Sequence, residues 1–154
     1  MALTCGNFFG AFFSFIGMIL GYSAFLTFTF VYQNYHAGVL AFLSGIYASI
    51  VFLMNILEIQ HRLNDWYSRE HLKSMRTFSF IGILIGASAT FWYLFIYIYF
   101  RIPVLPVNTS MVIPSVWSFM TLKWSIVLFF LTKKYTRIIA EEEHLLPPRT
   151  GRYY

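Results

Sequence analysis

The sequence has little charge, a single cysteine and no acidic residue within its long apolar runs. Only 11% of its 154 residues are charged, whereas an ordinary soluble domain has about 25%. The lone Cys5 excludes an intrachain disulfide and a metal site built from several cysteines. Because the chain also has no HExxH motif, no glycine-rich phosphate loop and no pair of carboxylates within an apolar run, we do not expect an enzyme.

Apolar residues make up most of the chain: 58% are hydrophobic and 21% are aromatic. A transmembrane helix needs about 20 apolar residues, so a chain of this length holds about four of them and no separate soluble domain. We therefore predict an all-α integral membrane protein, with a bundle of four transmembrane helices over residues 1–135 and a tail over residues 136–154. The spans are predicted at about residues 8–32, 37–57, 77–100 and 116–132. The first apolar run is longer than the core of a signal peptide, so we expect a retained helix.

Lysine and arginine are unevenly distributed between the two sides of this predicted bundle. They cluster in the connection between spans two and three and in the tail, whereas Arg101 is the only one in the other two connections. The positive-inside rule then predicts that both termini are cytosolic. The loop before the last span lies on the opposite side, where the Asn108 sequon is topologically eligible for glycosylation.

Lys123 lies near the middle of the fourth span, within an apolar segment that ends at Tyr135. A charge at bilayer mid-depth costs at least about 2.5 kcal/mol. Lys123 is ten residues, or ~15 Å, from Lys133, and its side chain extends only about 6 Å, so it cannot reach the interface. The sequence favours an anionic ligand as its partner, and the alternative is a neutral lysine bonded to Asn55 or to a tyrosine.

The helical period divides the fourth span into a cationic face and a neighbouring aromatic face. Together they favour a flat, apolar, dianionic ligand, since an inorganic cation would need a ring of oxygen ligands. The cationic face contains Val116, Met120, Lys123, Val127, Phe130 and Lys134, and the aromatic face contains Trp117, Thr121, Trp124, Leu128, Leu131 and Tyr135.

Glycines four residues apart recur in the first and third spans. Such spacing lines one side of a helix with small residues and lets a neighbouring backbone approach. We interpret them as packing surfaces inside the bundle, and the same surfaces can serve a homo-oligomer contact. The pairs are Gly6 and Gly10, Gly17 and Gly21, and Gly82 and Gly86.

The fourth span resembles the last helix of the haem-responsive gene family of four-span haem transporters, whose nematode members end that helix in the motif FARKY. Here residues 131–135 stand at that motif, and residues 78–87 resemble the third helix of the family. The resemblance implies that haem moves, as transported substrate and with no permanent cofactor, from an endolysosomal lumen or the cell exterior into the cytosol. It rests mainly on Trp117, Ser118, Lys123, Trp124, Lys133, Lys134 and Tyr135, with Lys73 and Arg76 upstream.

The same resemblance implies roles for individual residues. Tyr135 would ligate or stack on haem near the cytosolic exit, and Lys133 and Lys134 would bind its propionates. The loop histidine of the family is missing, since Ile102 stands in its place, and His36 in the other turn is the candidate substitute. Depending on the alignment, the second-helix histidine falls on Asn55 or beside His61, with Tyr47 as a further candidate. The iron ligand is thus expected at His61, Tyr135 or His36, and the full pathway is Tyr135, Lys134, Lys133, Lys123, Trp124, Trp117, His61, Tyr47, Asn55 and His36.

A non-transporting tetraspan adaptor or membrane chaperone is the alternative function. The lysine of an adaptor would pair with an acid of its partner, whereas the lysine of a transporter would face a cavity inside the protomer. In the tail, Glu141 precedes Leu145 and Leu146 in a pattern that resembles cytosolic sorting signals, although an amphipathic tail helix would have the same pattern. The expected partners are haem, the lipid bilayer and sorting adaptors, with no nucleic acid, in an endosomal, lysosomal or plasma membrane.

Overall fold

The computed structural model describes residues 2–145, apart from the side chains of residues 2–5, 64, 65 and 142–145. All of the regular structure in this part of the chain is helical, which confirms the predicted fold class. The helices are α1 (Ala2–Leu26), which continues as a π-helical segment (Thr27–Val31), α2 (Tyr35–Ile59), a short α3 (Leu63–Trp66), α4 (Arg69–Phe100) and α5 (Val112–Leu145).

Four of these helices are long and apolar enough to cross a membrane: Gly6–Val31, Tyr35–Ile59, Arg69–Phe100 and Val112–Glu141. The third and fourth are longer than the predicted apolar spans because charged turns extend them. The hydroxyl of Ser68 accepts a hydrogen bond from the amide of His71 at 3.3 Å and caps the start of α4, eight residues before the apolar run. At the other end, α5 continues without a break past Tyr135 into the polar sequence that was predicted as tail.

Asn34 fixes the turn between α1 and α2. Its side-chain oxygen accepts a hydrogen bond from the amide of Ala37 and caps α2, while its amide nitrogen donates to the carbonyls of Val107 at 2.8 Å and Ser110 at 3.1 Å. A buried side chain thus joins the first turn of the bundle to the loop before α5. We call this end, with residues 32–34 and 101–111, the loop end, and the opposite end the terminal end.

The spanning helices pack in the order α1, α2, α5, α4. More than half of the residues in the apolar stretch of α2 are buried, whereas only 11% of those in the apolar stretch of α4 are. Helix α2 is therefore central, and α4 exposes most of its surface. Because each spanning helix reverses direction, α2 and α5 run in parallel from the loop end to the terminal end. Their contact supplies the main core, together with Leu63 and Leu72.

Several of the paired glycines lie at helix contacts, as interpreted from their spacing. A Cβ added to Gly21 would lie 2.7 Å from the backbone of Gly45, and one added to Gly86 would lie 2.7 Å from the backbone nitrogen of Leu122. These contacts bring α1 against α2 and α4 against α5. The two helix pairs approach this closely because Gly21 and Gly86 have no side chain.

Candidate functional site

A groove of about 690 Å³ lies between α1 and α5, with α2 as its floor. It forms because α1 packs on α2 and only reaches α5 through long side chains. Its volume is within the range of about 300–1,000 Å³ that is usual for small-molecule sites. The lining residues are Gly6, Asn7, Gly10, Phe13, Ile16, Gly17 and Leu20 of α1, Ser44, Val51 and Asn55 of α2, and Trp117, Met120, Lys123, Trp124, Val127, Leu131 and Lys134 of α5.

The groove is cationic. Lys123 and Lys134 both line it, and no aspartate or glutamate is among the lining residues in the described part of the chain. The ammonium nitrogen of Lys123 lies 4.7 Å from the centroid of the Trp124 ring, and Lys123 makes no hydrogen bond to Asn55 or to a tyrosine of the described residues. A cation–π contact of this kind offsets only part of the cost of an ammonium in lipid. Lys123 is exposed, and it lines an open groove of the protomer with no aspartate or glutamate among the described lining residues.

Lys134 lies at the terminal end of the groove. Its ammonium nitrogen donates to the side-chain oxygen of Asn7 at 3.4 Å and lies 5.3 Å from the centroid of the Tyr135 ring. Asn7 is buried on α1, so this contact joins the two walls of the groove. Lys133, in contrast, is exposed and does not line the groove. The structure therefore separates the two lysines that the family motif placed together.

Asn55 occupies the floor of the groove one helical turn beyond Val51. It is 4% exposed, and its amide nitrogen donates to the carbonyl of Val51 at 2.8 Å. A Cβ on Gly10 would lie 2.9 Å from the Asn55 side-chain oxygen, so the glycine makes room for this amide. Of the two positions that alignment with the family allowed, Asn55 is the one that lines the groove.

Two tryptophans supply the aromatic surface of the groove. Trp124 is 6% exposed and packs its indole ring on Gly17, where no side chain could fit. Trp117 lies nearer the loop end, with its ring edge toward Phe28 of the π-helical segment at a centroid distance of 6.4 Å. Gly10 and Gly17 line the groove as well as making room for Asn55 and Trp124, whereas Gly6 lines the groove and a Cβ there would meet nothing within 4 Å, so the packing interpretation of these three glycines is incomplete.

Tyr135 lies outside the groove. It is fully buried in the core formed by α2, α5 and the start of α4, and its hydroxyl has no hydrogen-bond partner. Tyr47 is also a core residue: its hydroxyl donates to the carbonyl of Phe78 at 3.1 Å and the two rings stack at 4.9 Å. Both tyrosines stabilise contacts between helices in this conformation.

The two candidate histidines lie at opposite ends of α2, and neither lines the groove. His36 is exposed at the loop end, where its Nδ1 lies 3.1 Å from the hydroxyl of Tyr93. His61 is exposed in the turn after α2, with a left-handed φ of 54°. The described residues contain no cluster of three or more histidine, cysteine, aspartate or glutamate side chains that could hold a metal ion.

Most of the lining residues were not predicted as site residues, and among them Asn7, Ser44 and Met120 carry a polar group or a sulfur atom. Asn7 and Ser44 carry no charge and no motif, so no sequence signal distinguished them from packing residues. Met120 was placed on the cationic face but given no role. Of the candidate sorting signal, Glu141 is exposed on α5, while the side chain of Leu145 and all of Leu146 lie outside the described residues.

A comparison with known families gives one match. The family model described as haem transporter, endosomal/lysosomal, haem-responsive gene matches residues 72–124, about a third of the chain. The matched segment contains most of α4, the loop and the start of α5, including four groove residues named above: Trp117, Met120, Lys123 and Trp124. No solved structure matches the chain. Over residues 72–124 this chain therefore matches the haem-responsive gene family of endosomal and lysosomal haem transporters, which confirms the resemblance predicted from its sequence.

Proposed function

We propose that this chain transports haem across an endosomal, lysosomal or plasma membrane into the cytosol and that the groove between α1 and α5 is the passage. One observation carries the proposal: Lys123, near the middle of the apolar span of α5, lines a ligand-sized groove, and no aspartate or glutamate is among the described residues that line it. The match of residues 72–124 to a haem-transporter family supports it. A carrier of this kind performs no covalent chemistry, in agreement with the absence of enzymatic motifs.

Haem suits this groove in shape and in charge. It is a flat apolar macrocycle with two carboxylates on one edge, so it needs apolar and aromatic walls together with cations. The groove offers the indole rings of Trp117 and Trp124, aliphatic walls and two lysines. Lys123 and Lys134 are eleven residues apart on α5, or ~16 Å. We infer that the haem carboxylates bind first to Lys123 and later to Lys134, so that the groove has two successive propionate-binding sites.

The direction of transport follows from the proposed orientation. The excess of lysine and arginine at the terminal end favours the cytosol on that side, so haem would leave the groove for the cytosol from the binding site at Lys134. The loop end, with the exposed Asn108, then faces the lumen or the cell exterior. The Glu141 sequence would be accessible to cytosolic sorting adaptors, as a route to endosomes and lysosomes.

The placement of Lys123 favours a transporter over the adaptor. An adaptor that binds partner helices would present the lysine to an acidic group on another chain. Here the lysine is exposed but lines a groove formed by α1, α2 and α5 of a single protomer. The adaptor model gives no reason for a second lysine on the same cavity.

Uptake of a fluorescent metalloporphyrin with free propionates tests the proposal. Haem-starved cells that express the chain should accumulate the analogue faster than cells with an empty vector, and haem should compete. The dimethyl ester of the same porphyrin should compete poorly, because it lacks the carboxylates that the lysines would bind. If the protein is present in the membrane at normal levels and uptake does not increase, the proposal is wrong.

A further inference from the structure

The groove lacks the side chains that most often bind haem iron. Among its lining residues, all within the described part of the chain, there is no histidine, tyrosine or cysteine. The ligands expected from the family resemblance, His36, His61 and Tyr135, lie elsewhere. Besides the two lysine amines, which are cationic when they pair with carboxylates, the thioether of Met120 is the one remaining group among these lining residues of a type that ligates haem iron in proteins.

Met120 occupies a suitable position for this role. It is half-buried on α5, three residues before Lys123, which corresponds to a rise of about 4.5 Å. Residues three apart share a helix face, and both line the groove. A porphyrin that places its iron at Met120 can therefore direct a propionate toward Lys123. Trp117 and Trp124 flank this position on the same helix and offer surfaces for stacking.

Ser44 gives an independent indication of a ligand in this half of the groove. Several other helical serines donate to the carbonyl of the preceding turn, such as Ser49 at 2.8 Å and Ser125 at 2.8 Å. The hydroxyl of Ser44 is buried, lines the groove and has no partner. A buried polar group without a partner costs about 1–3 kcal/mol, so a ligand that accepts a hydrogen bond from the Ser44 hydroxyl would remove this desolvation cost.

Ser44 lies within about 3 Å of the level of Lys123 along the bundle. The hydroxyl of Thr121 on α5 donates to the carbonyl of Leu40 on α2 at 3.1 Å, which aligns the two parallel helices. Ser44 follows Leu40 by one turn, and Lys123 follows Thr121 by half a turn. The serine hydroxyl and the lysine ammonium thus approach the groove from two helices at about one level.

We propose that the loop-end half of the groove is a haem-holding site in which the thioether of Met120 ligates the iron, while Lys123 and Ser44 bind the propionates. The site rests on the haem transport proposed above and specifies its substrate further. A thioether is a soft ligand, and a methionine ligand stabilises the reduced iron relative to the oxidised iron. The site therefore prefers ferrous haem to ferric haem.

Binding of three porphyrins to the purified chain in detergent separates the contribution of the iron ligand from that of the propionate-binding groups. The ligands are dithionite-reduced haem, ferric haem and metal-free protoporphyrin, followed by their absorption spectra. Met120→Leu keeps the size of the side chain and removes the sulfur, so it should weaken ferrous haem binding about tenfold and abolish the preference for the reduced form. Metal-free protoporphyrin, which has no iron to ligate, should bind as it does to the parent. Met18→Leu is the matched control, because Met18 packs against the core and does not line the groove.

Met120→His supplies a second variant. If position 120 reaches the iron, this variant should bind haem with the spectrum of a histidine-ligated iron. An unchanged ferrous spectrum and affinity in both variants would overturn the Met120 assignment while leaving haem transport intact. Failure of the parent chain to bind any of the three porphyrins would instead contradict the proposed function itself and, with it, this site.

Discussion

The ammonium nitrogen of Lys134 lies 3.4 Å from the side-chain oxygen of Asn7, so α5 is joined to α1 where the groove approaches the terminal end of the bundle. The contact is long for a hydrogen bond, and it can be exchanged for a carboxylate of a ligand with little loss. Lys133, one residue earlier, points away from the groove and is exposed. Two adjacent lysines thus have different surroundings, which allows their roles to be separated by experiment.

Replacing Lys134 with glutamine should lower porphyrin uptake about tenfold, because it removes the second of the two cationic groups that would bind propionates in the groove. Lys133→Gln is the matched control and should leave uptake within about twofold, since that side chain does not line the groove. Both variants remove one positive charge from the same end, so any effect on membrane orientation would be shared. Equal loss in the two variants, with topology mapped by protease accessibility, would assign the effect to orientation and contradict a specific role for Lys134.

Replacing Lys123 with methionine should lower uptake without harming the fold. No acidic residue is among the described residues that line the groove with this lysine, so removing its charge relieves a desolvation cost, and thermal stability should stay equal or increase. Lys123→Arg should keep part of the uptake through its charge. The measurements are thermal unfolding in detergent and porphyrin uptake. A methionine variant that transports normally would remove Lys123 from the pathway.

Tyr135→Phe tests whether the family motif or the observed packing decides the role of this residue. The hydroxyl is fully buried without a partner, so its removal should leave stability unchanged or raise it by up to about 1 kcal/mol. Since the ring lies in the core and not in the groove, uptake should stay within about twofold of the parent. A large loss of uptake in a stable variant would show that Tyr135 reaches haem in another conformation.

The number and approximate position of the spanning helices could be predicted because lipid imposes a simple length rule on apolar segments. The helix ends could not, since charged turns such as that after Ser68 continue the helix in the polar region, where hydropathy gives no signal. The short α3 at Leu63–Trp66 is likewise too brief to produce a periodic pattern. These differences leave the four-helix bundle as predicted, but the polar segments add Leu63, Leu72 and Ile139 to its core.

The candidate site could be predicted in part. Periodicity brought Lys123, Trp124 and Trp117 to one side of α5, and all three line the groove. It did not predict which neighbouring helix faces them, because the order of packing is decided by side chains such as Trp124 on Gly17. Tyr135 shares a helix face with Trp124 and Leu128, and all three belong to the core cluster, but only Trp124 also reaches the groove.

Gly21→Ala tests the packing that gives the groove its walls. The added Cβ would lie 2.7 Å from the backbone of Gly45, which cannot rotate away as a side chain can, so α1 must shift from α2. We expect a loss of about 1–3 kcal/mol, the usual cost of overpacking, and a lower midpoint of thermal unfolding in detergent. Gly6→Ala is the matched control: its Cβ would meet nothing within 4 Å, so the better helix propensity of alanine should leave stability unchanged or raise it by up to about 1 kcal/mol. If both substitutions had the same effect, the close approach of α1 and α2 at Gly21 and Gly45 would not limit stability, and the position of the α1 wall would have to depend on other contacts, such as Trp124 on Gly17.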